Sequence, residues 1–119
     1  MVGRARGPVE ALERDARTGL LALLVLRLLV EEGPLHGYGV RRRIAEATGL
    51  EPPESSVYDA LRRLERLGLV EGYWAVGPEG TVRKYYKPRP HAGEVLAAVV
   101  ERLSRLAAPV LCGGGGGGG

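Results

Sequence analysis

Apolar residues recur along the chain with two different periods, and the switch between them sets out its elements. Val9, Leu12 and Ala16 form a weak stripe that predicts a short helix from Pro8 to Arg17. Pro8 suits a first helical position, and Glu10 and Glu13 lie in early turns where acids complement the dipole. Thr18-Gly19 predicts a break. Leu20 to Glu32 is apolar almost all round, which predicts a helix buried on several sides and closed by Gly33-Pro34. Val40, Ile44 and Ala47 give the inner stripe of a helix from Tyr38 to Thr48, with Arg41, Arg42 and Arg43 outside and Gly49 as its end. A second stripe, Val57, Ala60, Leu61, Leu64 and Leu67, follows the turn Leu50-Glu51-Pro52-Pro53. Ser55 or Ser56 can cap that helix, Ser56 with Asp59 resembles a capping box, and Gly68 is its expected stop.

Beyond Gly68 the period changes. Leu69–Val76 and Thr81–Lys87 are rich in Val, Tyr, Trp and Thr, and Gly77-Pro78-Glu79-Gly80 separates them. This predicts a β-hairpin with a basic outer strand. Alternation leaves open whether Tyr85 or Tyr86 faces the core. Pro88 and Pro90 stop the sheet. From Pro90 to Ala108 a last helix carries Leu96, Val99, Leu103 and Leu106 at a/d spacing, a seam suited to a second copy, with Pro109 expected to break it. The predicted organisation is an N-terminal arm and short helix over 1–18, a helix-turn-helix with its hairpin over 19–89, a dimerisation helix over 90–111, and a flexible glycine tail over 112–119. The fold class is mainly α with a small hairpin: a winged helix-turn-helix.

Composition narrows the chemistry. The 119 residues suit one domain with a small core, which a partner subunit would help to cover. The formal charge of +3 permits a nucleic-acid partner without demanding one. A single cysteine, Cys112, excludes an internal disulfide and points to a reducing, cytoplasmic setting. The apolar run Leu20–Val30 contains Arg27 and is too short to span a bilayer, so no membrane role is expected. His36, His91 and Cys112 lack metal spacing, and His36 reads as a turn residue bonded to backbone. No nucleophile–base set or phosphate loop is present, which argues against an enzyme and against a cofactor.

The second helix of the pair turns a polar, aromatic and basic face away from its stripe, and that face suits the major groove. Ser55, Tyr58, Asp59 and Arg62 are placed to reach base edges or nearby sugars. Ser56, Arg63 and Arg66 are placed for phosphate, and Arg83, Lys84 and Lys87 line the hairpin. Glu51, Glu54 and Asp59 close to that face support an alternative, a winged helix for protein contact with no DNA target.

Three blocks resemble the PadR family of transcriptional regulators: Gly33-Pro34-Leu35-His36-Gly37-Tyr38, the run from Ser56-Val57-Tyr58 to Gly68-Leu69-Val70, and Arg83-Lys84-Tyr85-Tyr86. The resemblance spans about Gly19 to Gly93, and the length matches the branch with a single C-terminal helix. It implies a homodimeric repressor of double-stranded DNA. The 55–67 helix would enter the major groove, the wing would touch flanking backbone or minor groove, and the terminal helices would build the dimer. It further implies a small aromatic effector held between those helices. The chain departs from the family pattern after the second wing strand, where Lys87-Pro88-Arg89-Pro90-His91-Ala92-Gly93 lacks the usual Thr cap.

Overall fold

A computed structural model describes the backbone of residues 2–118 and the side chains of residues 7–113. The expected loose basic arm, with Arg4 and Arg6, lies outside the described side chains. The elements in order are α1 (Val2–Glu32), β1 (Leu35–His36), α2 (Gly37–Thr48), α3 (Glu54–Arg66), β2 (Val70–Val76), β3 (Val82–Pro88) and α4 (Ala92–Gly118). The winged helix-turn-helix is therefore present, with two terminal helices longer than their patterns predict.

The first of these, α1, does not break at Thr18-Gly19. Glu13 and Arg17 pair at 2.6 Å across one turn, and the Thr18 hydroxyl donates to the Arg14 carbonyl at 3.0 Å. The ion pair supports the helix by a few tenths of a kcal/mol, and a lone glycine weakens a helix by only about 1 kcal/mol relative to alanine. Pro8 stands inside α1 rather than at its start, giving up one hydrogen bond in an exposed turn. Pro109 is likewise inside α4. The tail expected over 112–119 is drawn into α4 as far as Gly118, and Gly119 lies outside the described residues. None of the described helices is long and apolar enough to cross a membrane.

One core joins all the layers. Val25, Leu26, Leu28 and Leu29 of α1 meet Val40 and Ile44 of α2, Val57, Ala60, Leu61 and Leu64 of α3, Val70, Tyr86, and Ala92 and Leu96 of α4. The choice between the two tyrosines is settled here, because Tyr86 is buried and Tyr85 is not. β1 pairs with β3, so the hairpin becomes a three-stranded antiparallel sheet in the order β1-β3-β2. Two residues of strand leave no periodicity to read, and Leu35-His36 shows as a bare connection in the sequence.

The start of α4 needs no threonine. Ala92 N–H donates to the Arg89 carbonyl at 3.0 Å and Val95 N–H to that of His91 at 3.1 Å. Arg89 N–H is tied to the Leu69 carbonyl at 2.9 Å, which fixes where the last helix leaves the sheet. From Val100 onward nearly every described residue of α4 is exposed, as is α1 from Gly7 to Leu20. Both helices overhang the body, and the molecule measures 56 × 35 × 24 Å.

Candidate nucleic-acid interface

A helix turns about 100° per residue, so α3 presents four sides. Val57, Ala60, Leu61 and Leu64 are buried on the first. The second meets α2 and the sheet. Here the Tyr58 ring packs on Gly37, so closely that a β-carbon there would stand 2.6 Å from Tyr58 Cε1. Glu65 reaches the same side, beside Gly72 and Tyr86. The third side turns to α1 and carries Arg63 and Leu67. The fourth is free: Ser55, Asp59, Arg62 and Arg66 are all exposed.

The expected contact set is thus divided. Tyr58 is half-buried, with its ring committed to α2, and Arg63 lies beside the groove between α1 and α4. Ser56 is half-buried at the first turn, where its N–H donates to the Pro53 carbonyl at 3.0 Å. The capping box does not form. α3 begins at Glu54 behind Pro53, with no side-chain cap. Asp59 instead accepts a hydrogen bond from Arg62. Glu54 supplies the acid that suits the first turn. Such an exposed pair is worth about 0.2–1 kcal/mol, so it can open at small cost.

The joint between α2 and α3 is held by residues whose part has no signal in the pattern. Arg41 Nε donates to the Pro52 carbonyl at 2.7 Å, and its guanidinium lies 3.9 Å from Glu51. Arg41 thereby clamps the turn between the two helices. His36 acts as expected of a turn histidine: its Nδ1 accepts the Gly39 N–H at 3.1 Å and caps α2. Burial lowers the His36 pKa, the Arg83 charge lowers it further, and Glu79 opposes them. The neutral ring is the form that can accept this hydrogen bond.

Strand register sorts the wing. Trp74 lies opposite Lys84, Val76 opposite Val82, and Gly72 opposite Tyr86. These share the face that packs on α3, because side chains alternate along a strand. Lys84 folds back along Gly72 with its ammonium 5.5 Å from the Tyr86 ring. Arg83 and Lys87 are on the other face with Tyr73 and Tyr85. Lys87 sits 5.5 Å over Tyr73, whose ring stacks on Tyr85 at 6.1 Å, and His36 meets Tyr85 edge-on at 5.3 Å. Arg83 lies 3.4 Å from Glu79. Only Lys84 of the three wing cations shares a side with α3.

Charge pairing divides the cations into two groups. Among the described side chains, Arg14, Arg63, Arg66, Lys84, Lys87 and Arg102 have no acidic partner within ion-pair distance, while the other arginines do. Four of those six belong to α3 and the wing. No group of three or more metal-ligating side chains occurs among the described residues.

Beside Arg63 the surface of α3 turns largely apolar. A groove of about 520 Å³ runs between α1, the end of α3 and the start of α4, lined by Ala22, Leu23, Leu64, Leu67, Val95 and Val99. The seam expected over Leu96, Val99, Leu103 and Leu106 is split. Leu96 is 2% exposed and belongs to the chain's own core, because α4 lies on α1 through Ala92 and Leu96. Val99 lines the groove, while Leu103 and Leu106 are exposed on the overhang.

Comparison with known proteins agrees with this architecture. The transcriptional regulator PadR-like family model matches residues 25–91. A PadR family transcriptional regulator from Eggerthella lenta is 30% identical, with 95% of this chain and 93% of that one covered and a TM-score of 0.72. A transcriptional regulator from Clostridium thermocellum is 28% identical, with coverage of 82% and 91% and a TM-score of 0.69. Bacillus subtilis PadR, solved in complex with operator DNA, is 22% identical, with coverage of 68% and 47% and a TM-score of 0.59, a likeness of fold.

Proposed function

This chain belongs to the PadR-like family of transcriptional regulators, and from that premise we propose that it is a homodimeric repressor that sets α3 in the major groove of a palindromic operator. The observation that carries this is the free side of α3. Ser55, Asp59, Arg62 and Arg66 stand exposed on a helix whose opposite side is locked into the core, so the helix can enter a groove without unfolding anything. Arg62 has the fork that suits guanine O6 and N7, and Ser55 and Asp59 sit beside it. Arg66 and Lys84 lack acidic partners and suit phosphate beside α3, with Arg63 and Ser56 at the edges of the footprint and Arg83 and Lys87 on the outer face of the wing. Tyr58 contributes chiefly by fixing α3 on α2. Bacillus subtilis PadR, which shares the fold, was solved on operator DNA, and that complex supports the same use of this fold here.

The dimer is the second part of the proposal. Leu12, Leu103, Leu106 and Val110 are exposed on the two overhanging helices, and a second copy would cover them together with the groove at Val99. Exposed apolar residues on both overhanging helices support that reading. Two-fold symmetry then places two α3 helices one turn of duplex apart. A small aromatic effector between the terminal helices would act by shifting that spacing.

Selection of duplexes from a random pool tests the proposal. A two-fold symmetric sequence with half-sites about one helical turn apart is expected, with affinity falling steeply as salt rises. The rival, a winged helix for protein contact, draws on the Asp59–Arg62 pair and on Glu51 and Glu54 nearby. No enrichment and no duplex binding at low salt would favour that rival.

A further inference from the structure

One strand edge of the wing has no partner. Among the described residues β2 pairs only with β3, in the order β1-β3-β2. Backbone groups along such a strand point alternately to one edge and the other. The Leu69 carbonyl accepts from Arg89 N–H, and Gly77 N–H donates to the Thr81 carbonyl, so the odd-numbered residues between them bond β3. Gly72, Trp74 and Val76 therefore turn N–H and C=O outward. Register is one to one from Val70 to Val76, with no bulge, and the strand holds no lysine or proline. Those are the usual devices that blunt an edge. The free part of the opposite edge, beyond the pairing of β1 with Tyr85 and Tyr86, carries Arg83 and Lys84 instead. Apolar side chains stand beside the open edge: Trp74 is 69% exposed, Val76 67% and Val82 59%, all on the α3 side of the sheet. We infer that this edge takes a second copy of itself, β2 strands of two neighbouring dimers pairing antiparallel about a two-fold axis at Trp74, so that dimers on adjacent operators hold one another.

The occupant follows from the symmetry and the charge of the edge. An axis at Trp74 sets that residue opposite its copy and Gly72 opposite Val76, so outward groups meet outward groups. The two indoles form a cross-strand aromatic pair, with Val76 and Val82 of each copy beside it. The border is balanced: Lys84 folds along Gly72, where the Glu65 carboxylate also lies. A polyanion gains little from such a border, whereas a copy of the chain meets no repulsion. The exposed residues offered for the dimer, Leu12, Leu103 and Leu106, belong to α1 and α4, so that dimer does not use this edge. Three outward residues make a contact too small to hold free dimers together. It acts when one duplex carries two dimers side by side, which raises their effective concentration. The inference thus rests on the reading of α3 as the DNA-binding helix.

Labelled duplexes with one selected site or two, the distance between sites changed by single base pairs, are titrated with the full chain and followed by anisotropy. The second dimer should bind on the order of tenfold more tightly than the first, at spacings that recur with the helical repeat. Trp74 is the chain's single tryptophan, so its emission reports on this spot alone. Emission should shift on the two-site duplex and stay that of the free protein on the one-site duplex. Val76→Pro removes an outward N–H and spares the bonds to β3, as proline on an edge strand does. It should abolish the cooperativity and leave one-site affinity unchanged. Trp74→Ala should do the same, and it decides the matter if far-UV dichroism shows Val76→Pro unfolded. Equal affinity for both sites at every spacing overturns this inference and leaves the DNA reading standing. So does emission that shifts fully on the one-site duplex, or a Trp74→Ala protein that binds one site more weakly, since either puts DNA at the tip. Cooperativity that survives the substitutions places the contact elsewhere and also overturns it. No duplex binding at low salt overturns the reading of α3, and this inference with it.

Discussion

Replacing Gly37 by alanine puts one methyl group where the ring of Tyr58 already is. The added carbon would stand 2.6 Å from Cε1 and 2.5 Å from Oη, against 3.4–4 Å for ordinary contact. The ring must therefore retreat by most of an ångström. It cannot move inward, because Tyr58 packs against the buried core, and interiors are too dense to yield. The open course is outward, across the side that α3 offers to DNA. Overpacking of this kind costs about 1–3 kcal/mol. For a body of this size each kilocalorie lowers Tm by about 4–8 °C. Urea unfolding of Gly37→Ala should show a lower midpoint with unchanged slope. The control is Tyr58→Ala: with the ring gone the same methyl has room, so Gly37→Ala should cost little in that background. A Gly37→Ala protein as stable as the parent, or one equally destabilised with and without the Tyr58 ring, would refute the reasoning.

Other expectations follow from the same surfaces. Asp59→Asn removes the acid that holds Arg62 and should raise affinity for unrelated duplex at low salt, read by anisotropy; unchanged affinity would mean that this side of α3 does not meet DNA. His36 has a lowered folded pKa, so its contribution to stability is present above the unfolded value of 6.5 and is lost as pH falls through 6.5 toward the folded value. His36→Ala should flatten the pH dependence of the urea midpoint across that window. Leu106→Asp charges the overhang of α4 without touching the core, so sedimentation should show dimer giving way to folded monomer; a persisting dimer would place the interface elsewhere.

The middle of the chain was legible because its constraints are local. The stripe Val57, Ala60, Leu61 and Leu64 needs a helix to share a face, and the turn after Val76 needs its glycine and proline. Two arginines expected on one DNA-facing surface, Arg62 for base edges and Arg63 for phosphate, lie on different sides: Arg62 is on the free side of α3, while Arg63 turns toward α1. A residue's turn angle separates them only once the buried side is fixed. Tyr58 belongs to the polar face by periodicity, yet the missing side chain at Gly37 draws its ring into the joint. Leu96 follows the same seam spacing as Leu106, but one is buried in the core and the other is exposed on the overhang. That difference depends on how far α4 stays packed against the body, which spacing alone does not encode. The tie from Thr18 to Arg14 and the Arg41 clamp on Pro52 are tertiary or side-chain details that no period encodes.

Reading of a duplex by the free side of α3 is tested most directly at Arg62. The affinities of the parent and of Arg62→Ala are measured at one salt concentration on the selected duplex and on a scrambled one. Binding to the selected duplex should weaken by about 1–3 kcal/mol, with much less change on the scrambled sequence. Equal affinities for the parent and the variant on the selected duplex would contradict it.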